Sequence, residues 1–279
     1  FTCVLKACGD TKSIDKGKEI HDVIVRKGLL ERNAVLGNAL VNMYAKCGVL
    51  VKALQVLEEL PIRNAISWSS VISGYTEHGQ GNEALYCFER MQSEGISPNA
   101  ITFTCIVKAC GSIGAIDKGK EIHDEIVRRG LLRKDMVLGS ALVDMYGKCG
   151  VLAKAQEVHD ELHVRNIVSW SALISGYVEH GKIHEALNCF EQIQHEGLSA
   201  NVVTFSCILK ACGDIGAIEK GKQIHDEIVR RGLSAINITL GNALVDMYAK
   251  CGVLIESQQA LEELYIRNVV SWSALISGY

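Results

Sequence analysis

Eleven cysteines and nine histidines are the side chains of this 279-residue chain most able to bind metal or attack an electrophile. A zinc site wants two close Cys pairs of the C-x2-C type. Here the tight pairs, Cys105 with Cys110 and Cys207 with Cys212, stand five residues apart, and Cys47, Cys149 and Cys251 form another recurring set. This spacing predicts small apolar side chains on helices and no metal site. The odd count, without a secretory signal, predicts free thiols in a reducing compartment. His123-Asp124-Glu125, repeated at His225-Asp226-Glu227, matches the H-x-E of zinc deaminases. It lacks a P-C-x-x-C partner, so a solvated helix face is expected. Gly114-x4-Gly119-Lys120 resembles part of a phosphate loop, but Glu121 follows where Mg²⁺ binding needs Ser or Thr. Asn237-Ile238-Thr239 is a chance glycosylation sequon. No Ser/His/Asp or Cys/His set stands apart from the repetition, so no catalytic residue, metal or cofactor is expected.

The elements that must position these residues are set by a repeat. Trp68, Trp170 and Trp272 each sit in Ser-Trp-Ser, 102 residues apart. Met43, Met145 and Met247 open Met-Tyr-x-Lys-Cys-Gly, and Lys6, Lys108 and Lys210 open Lys-Ala-Cys-Gly, in the same register. The block 100–201 divides into helical hairpins of 36, 31 and 35 residues: 100–135, 136–166 and 167–201. Trp170, Leu173, Ile174 and Tyr177 fall at i, i+3, i+4 and i+7, which is one helix face. Gly181 breaks the chain, and Ala186, Leu187, Cys189, Phe190 and Ile193 make a second apolar helix. Short amphipathic helices bury their faces by stacking on neighbours, which predicts an all-α solenoid.

Two positions per hairpin vary by rule. The fifth residues are Thr2, Asn38, Ser69, Thr104, Ser140, Ser171, Ser206, Asn242 and Ser273, all small hydroxyls or Asn. The last residues are Asn33, Asn64, Asn99, Asp135, Asn166, Asn201, Asn237 and Asn268. Helix capping accounts for Asn or Asp before a helix. It accounts poorly for the fifth position, where Ser and Asn have no intrinsic helical advantage. A solenoid would align this site along one groove.

At these residues the chain resembles a family. Val-Ser-Trp-Ser-Ala-Leu-Ile-Ser-Gly-Tyr (168–177), Ala-Leu-x-Cys-Phe and Glu-Gly-Ile-Ser-Pro-Asn (94–99) resemble a pentatricopeptide-repeat (PPR) P motif. Residues 108–123 resemble an L motif, and 242–252 resemble an S motif. The lengths and the L-S-P order are similar to the PLS subclass over the whole chain. The resemblance implies one right-handed α-solenoid over 1–279. Its repeats would be a partial L at 1–33, S at 34–64, P at 65–99, L at 100–135, S at 136–166 and P at 167–201. L at 202–237, S at 238–268 and a partial P at 269–279 would complete it. It also implies single-stranded RNA bound one base per repeat, read by the fifth and last residues. The second residues, Val35, Ile66, Ile101, Val137, Val168, Val203, Thr239 and Val270, would flank the bases, with Thr239 departing from the apolar pattern. Ordinary packing between repeats would also explain that apolar set.

The chemistry of a two-residue code follows from donors and acceptors. Asn at the fifth position suits a pyrimidine edge, and Ser or Thr leaves room for a purine. Asp at the last position accepts from guanine or uracil N–H, whereas Asn can donate to adenine or cytosine ring nitrogen. In order, the pairs predict A-Y-A-G-A-A-A-Y, with Y a pyrimidine. L-type repeats follow the family's code less closely, so letters one, four and seven carry less.

The net charge of −3 argues against general phosphate-driven binding and favours base contacts. The chain opens on Phe1 without an initiator Met or leader and stops in mid-pattern at Tyr279, so a fragment is expected. The resemblance implies a mitochondrial or chloroplast protein that selects sites for C-to-U editing or other RNA processing. Accessory proteins of an editing complex, or a C-terminal deaminase outside these residues, would be its partners. No membrane span and no small-molecule substrate are expected. The rival reading is a protein-binding scaffold, which predicts freely varying groove residues. An enzyme would need a non-repeating polar constellation.

Overall fold

The computed structural model describes residues 1–30, 33–133, 135–233, 237–264 and 266–279. Among them are seventeen α-helices and no strand. They are α1 (Thr2–Asp10), α2 (Ile14–Arg26), α3 (Ala34–Lys46), α4 (Leu50–Glu59), α5 (Ala65–Glu77) and α6 (Gly81–Ser93). Then follow α7 (Ala100–Ile113), α8 (Ile116–Arg128), α9 (Met136–Lys148), α10 (Leu152–Glu161), α11 (Ile167–Glu179) and α12 (Ile183–His195). The last are α13 (Val202–Ile215), α14 (Ile218–Arg230), α15 (Ile238–Lys250), α16 (Leu254–Glu262) and α17 (Val269–Gly278). No described helix is long and apolar enough to cross a membrane.

The chain forms two compact units, Phe1–Met145 and Tyr146–Tyr279. In the first, the leading helices α1, α3, α5 and α7 pack side by side, and the second helix of each hairpin lies against its own leading helix and the next one. The second unit repeats this with α11, α13, α15 and α17. Each core holds one fully buried tryptophan, Trp68 or Trp170. Phe88 meets Phe103 edge-on at 6.3 Å between ring centroids, and Phe190 meets Phe205 at 6.2 Å, so the second helix of one hairpin locks onto the first helix of the next.

Two glycine sites show why the stacking is tight. A Cβ on Gly176 of α11 would stand 2.8 Å from the Gly147 Cα in the last turn of α9. One on Gly221 of α14 would stand 2.5 Å from the Met247 sulfur. Gly114 ends α7 in the left-handed conformation at φ 68°, so the would-be phosphate loop is a helix C-cap.

The histidine expectation is corrected. The H-x-E segments do not present His to solvent. His123 is buried, and His225 is half-buried with its Nδ1 2.8 Å from the Tyr248 hydroxyl. His21 makes the same contact with Tyr44 at 2.9 Å. At His225 the imidazole lies beside the apolar stripe of its helix, next to Ile224, and at both His21 and His225 the tyrosine comes from the leading helix of the following hairpin. Only Asp22, Asp124 and Asp226 point to water. Among the cysteines, Cys8, Cys87, Cys105, Cys110, Cys189 and Cys212 are buried, whereas Cys3 is exposed. Burial pushes Cys87 and Cys189 up to about 12 and Cys212 to about 11, so these thiols stay protonated at neutral pH. Among the described residues, no group of three or more His, Cys, Asp or Glu could hold a metal ion.

Candidate nucleic-acid interface

The last residue of each hairpin is the N-cap of the following leading helix. The Asn64 Oδ1 accepts from Ile66 N–H at 2.9 Å and Ser67 N–H at 3.0 Å. Asn166 accepts from Val168 and Ser169, and Asn237 from Thr239 and Leu240, in the same way. Asn33, Asn99, Asn201 and Asn268 each hold one N3 amide through Oδ1. Asp135 accepts from Val137 N–H at 2.9 Å and Leu138 N–H at 3.1 Å through Oδ1. The cap therefore orients each side chain. It consumes Oδ1 and leaves the other terminal atom: a donor Nδ2 in Asn, an acceptor Oδ2 in Asp135. Among the described residues, none of these Nδ2 atoms donates a hydrogen bond within the chain.

The fifth residues lie one turn further along the same helices. Four hydroxyls donate to the carbonyl four residues back: Ser69 to Ala65 at 2.6 Å, Thr104 to Ala100 at 2.9 Å, Ser140 to Met136 at 3.0 Å and Ser171 to Ile167 at 2.6 Å. That local bond settles the hydroxyl inside a helix where it has no propensity advantage. Thr2 and Ser273 stand at the outermost leading helices, α1 and α17. The Asn38 Oδ1, the Asn242 Oδ1 and the Ser206 Oγ are buried with no hydrogen-bond partner. An unmade bond of this kind costs about 1–3 kcal/mol.

In the hairpins 65–99 and 167–201 the two rule-bound positions come together, directly or through a threonine hydroxyl. The Ser171 Oγ lies 3.3 Å from the Asn201 Oδ1 and 2.7 Å from the Thr204 Oγ1, which donates to the Asn201 Oδ1 at 3.0 Å. In the other unit Ser69, Thr102 and Asn99 form the same chain, at 2.6 and 3.0 Å. Thr102 and Thr204 escaped the sequence reading, although they too recur at 102 residues. Arg129 and Arg231 also escaped it. Arg129 donates to the Pro98 carbonyl at 3.1 Å and covers the Phe103 ring at 5.2 Å, gripping both sides of Asn99. Arg231 does so around Asn201, through the Ala200 carbonyl and Phe205.

The second residues are exposed, which removes packing between repeats as their explanation. Val35, Ile66, Ile101, Val137, Val168, Val203 and Val270 keep between 54% and 67% of their surface in water. Thr239 is exposed as well. Each sits three residues before a fifth residue on the same helix face. The site within one hairpin is thus an open apolar flank, a small or amide side chain one turn on, and a capping side chain with one free polar atom.

Comparison with known proteins shows which family the repeats belong to. The model of the "PPR repeat family" matches residues 63–112 and 165–214. The model of the "PPR repeat" matches 38–64, 101–131, 140–167 and 203–233. A chloroplastic pentatricopeptide repeat-containing protein of Arabidopsis thaliana is 36% identical over 276 residues, covering 99% of this chain and 44% of the relative. A mitochondrial one from the same plant is 34% identical over 279 residues, covering 100% of this chain and 44% of the relative. The chain therefore spans less than half the length of these relatives. Their names match the organellar placement expected from sequence. Among solved structures, PPR10 in complex with an 18-nt psaJ RNA element superposes with a TM-score of 0.75 at 19% identity, over 95% of this chain and 40% of that one. At that identity the likeness shows the fold, an α-helical repeat solenoid.

Proposed function

Because this chain belongs to the pentatricopeptide-repeat family, we propose that it binds single-stranded RNA, one base per hairpin, and that its fifth and last residues select the base. The observation that supports this most is the meeting of the two positions in one hairpin, Ser171 with Asn201 at 3.3 Å, beside the exposed Val168. A base edge presented there would face both side chains at once, with its ring against the valine. Stacking on aromatic side chains contributes about 1–3 kcal/mol per base. Aliphatic flanks contribute less, so binding accumulates over several repeats.

The proposal keeps the division into L, S and P repeats of the PLS type and the target A-Y-A-G-A-A-A-Y. The capping geometry supports the letters, because Asn offers the base a donor while Asp135 offers an acceptor. It assigns the chain address without chemistry. Site selection in organellar C-to-U editing, with the deaminase on another segment or partner, is the role it fits. Fluorescence anisotropy with A-Y-A-G-A-A-A-Y, a scrambled RNA and the matching DNA tests it. Tighter binding to the target than to both controls is expected, and equal affinity for target and scramble would end the base-reading account.

A further inference from the structure

Three lysines occupy one register position of the leading helices. Lys6, Lys108 and Lys210 follow the fifth residues Thr2, Thr104 and Ser206 by four, so they lie on the same helix face one turn further on. Lys108 and Lys210 also follow the exposed second residues Ile101 and Val203 by seven. All three are exposed, and among the described residues none of them forms an ion pair. The acids nearest in sequence are engaged elsewhere. Asp10 is held by Lys46 at 2.5 Å, and Asp214 by Lys250 at 2.9 Å.

The same position carries a different residue in the other hairpins. It is Asn42, Asp144 and Asp246 in the S type, and Ser73, Ser175 and Ser277 in the P type. Only the L type places a cation beside the base-facing side chains. Lys46 and Lys250, which also lie near the ends of leading helices, are committed to carboxylates. With a net charge of −3, the chain as a whole does not draw in a polyanion, so attraction must be local.

We propose that Lys6, Lys108 and Lys210 are phosphate contacts, one for each L-type repeat, so that every third repeat anchors the RNA backbone beside the base it faces. This rests on the RNA-binding reading above. It assigns the L type a role that does not depend on base identity. Phosphate contacts set position and register without carrying sequence information.

The test is the salt dependence of binding to A-Y-A-G-A-A-A-Y, for the unsubstituted chain and for Lys6→Gln/Lys108→Gln/Lys210→Gln. A control, Lys18→Gln/Lys120→Gln/Lys222→Gln on α2, α8 and α14, removes the same charge from the second helices. Each phosphate contact to a single strand contributes about 0.7 to the slope of log affinity against log salt. Loss of three lowers the slope by about 2, so over a fourfold rise in salt the unsubstituted chain loses about 20-fold more affinity than the triple variant. The control keeps the original slope, and the target-to-scramble ratio of the triple variant stays unchanged. An unchanged slope, or an equal fall in both variants, overturns the proposal. The two claims separate cleanly: a lost target-to-scramble preference in the unsubstituted chain strikes at base reading, whereas the slope strikes at the lysines. Failure to bind any RNA removes both. Circular dichroism of the variants confirms that the helices are retained, and each single lysine variant gives about a third of the effect.

Discussion

At the scale of the residue, the capping amide shows how one side chain caps a helix and still leaves a polar atom free for a base. Asn at the end of a hairpin has two polar atoms; the helix takes the oxygen and leaves the nitrogen. Capping and base reading were rival explanations in the sequence, because a one-dimensional pattern does not say which atom is used. The geometry makes them compatible. Two substitutions separate the roles. Asn166→Ala removes the bonds to Val168 and Ser169 and should cost about 0.5–2 kcal/mol in urea unfolding. Asn166→Asp keeps a good cap, so its unfolding midpoint stays close to the original, while the free atom turns from donor to acceptor. Equal destabilisation by both would contradict a cap carried by Oδ1 alone.

At the scale of the element, stacking depends on close approach between successive leading helices. Gly147 and Gly176 let α9 and α11 touch at the backbone. Gly176→Ala should destabilise by about 1–3 kcal/mol, since neither side can yield a side chain to make room. A thermal midpoint unchanged from the original would show that the helices part at no cost. Much of this level was legible. The recurring Asn or Asp marks every leading-helix start from α3 to α17, and the i, i+3, i+4, i+7 pattern picks out the buried Trp170, Leu173 and Ile174. The inward histidines were not legible. His225 borders its apolar stripe, and the Tyr248 hydroxyl that satisfies it lies 23 residues away on another helix. Nor were Arg129 and Arg231, whose carbonyl partners lie 31 residues back in a loop.

At the scale of the whole molecule, buried imidazoles tie stability to pH. Burial holds His21, His159 and His225 below the usual histidine value, and His159 is fully enclosed, with its ring 4.1 Å from Trp170. A depressed folded value means that the unfolded chain binds protons more readily. The stabilisation is complete above about pH 6.5 and is lost as pH falls through the folded values. The urea midpoint should therefore drop between pH 7.5 and 5.5, and His159→Leu should flatten part of that drop. A flat profile in the unsubstituted chain would contradict this. The second residues were legible as a set, but their exposure was not, because a period marks a shared position without saying whether it faces a neighbour or water. The central claim is that the free atom of the capping residue chooses the base, and its most direct test is a swap at the fourth letter. Affinities of the unsubstituted chain and of Asp135→Asn are measured for A-Y-A-G-A-A-A-Y and A-Y-A-A-A-A-A-Y. The account predicts that the former prefers G and the latter A, each by about tenfold, as one base-edge contact of about 1.4 kcal/mol requires. The same preference in both proteins would contradict it.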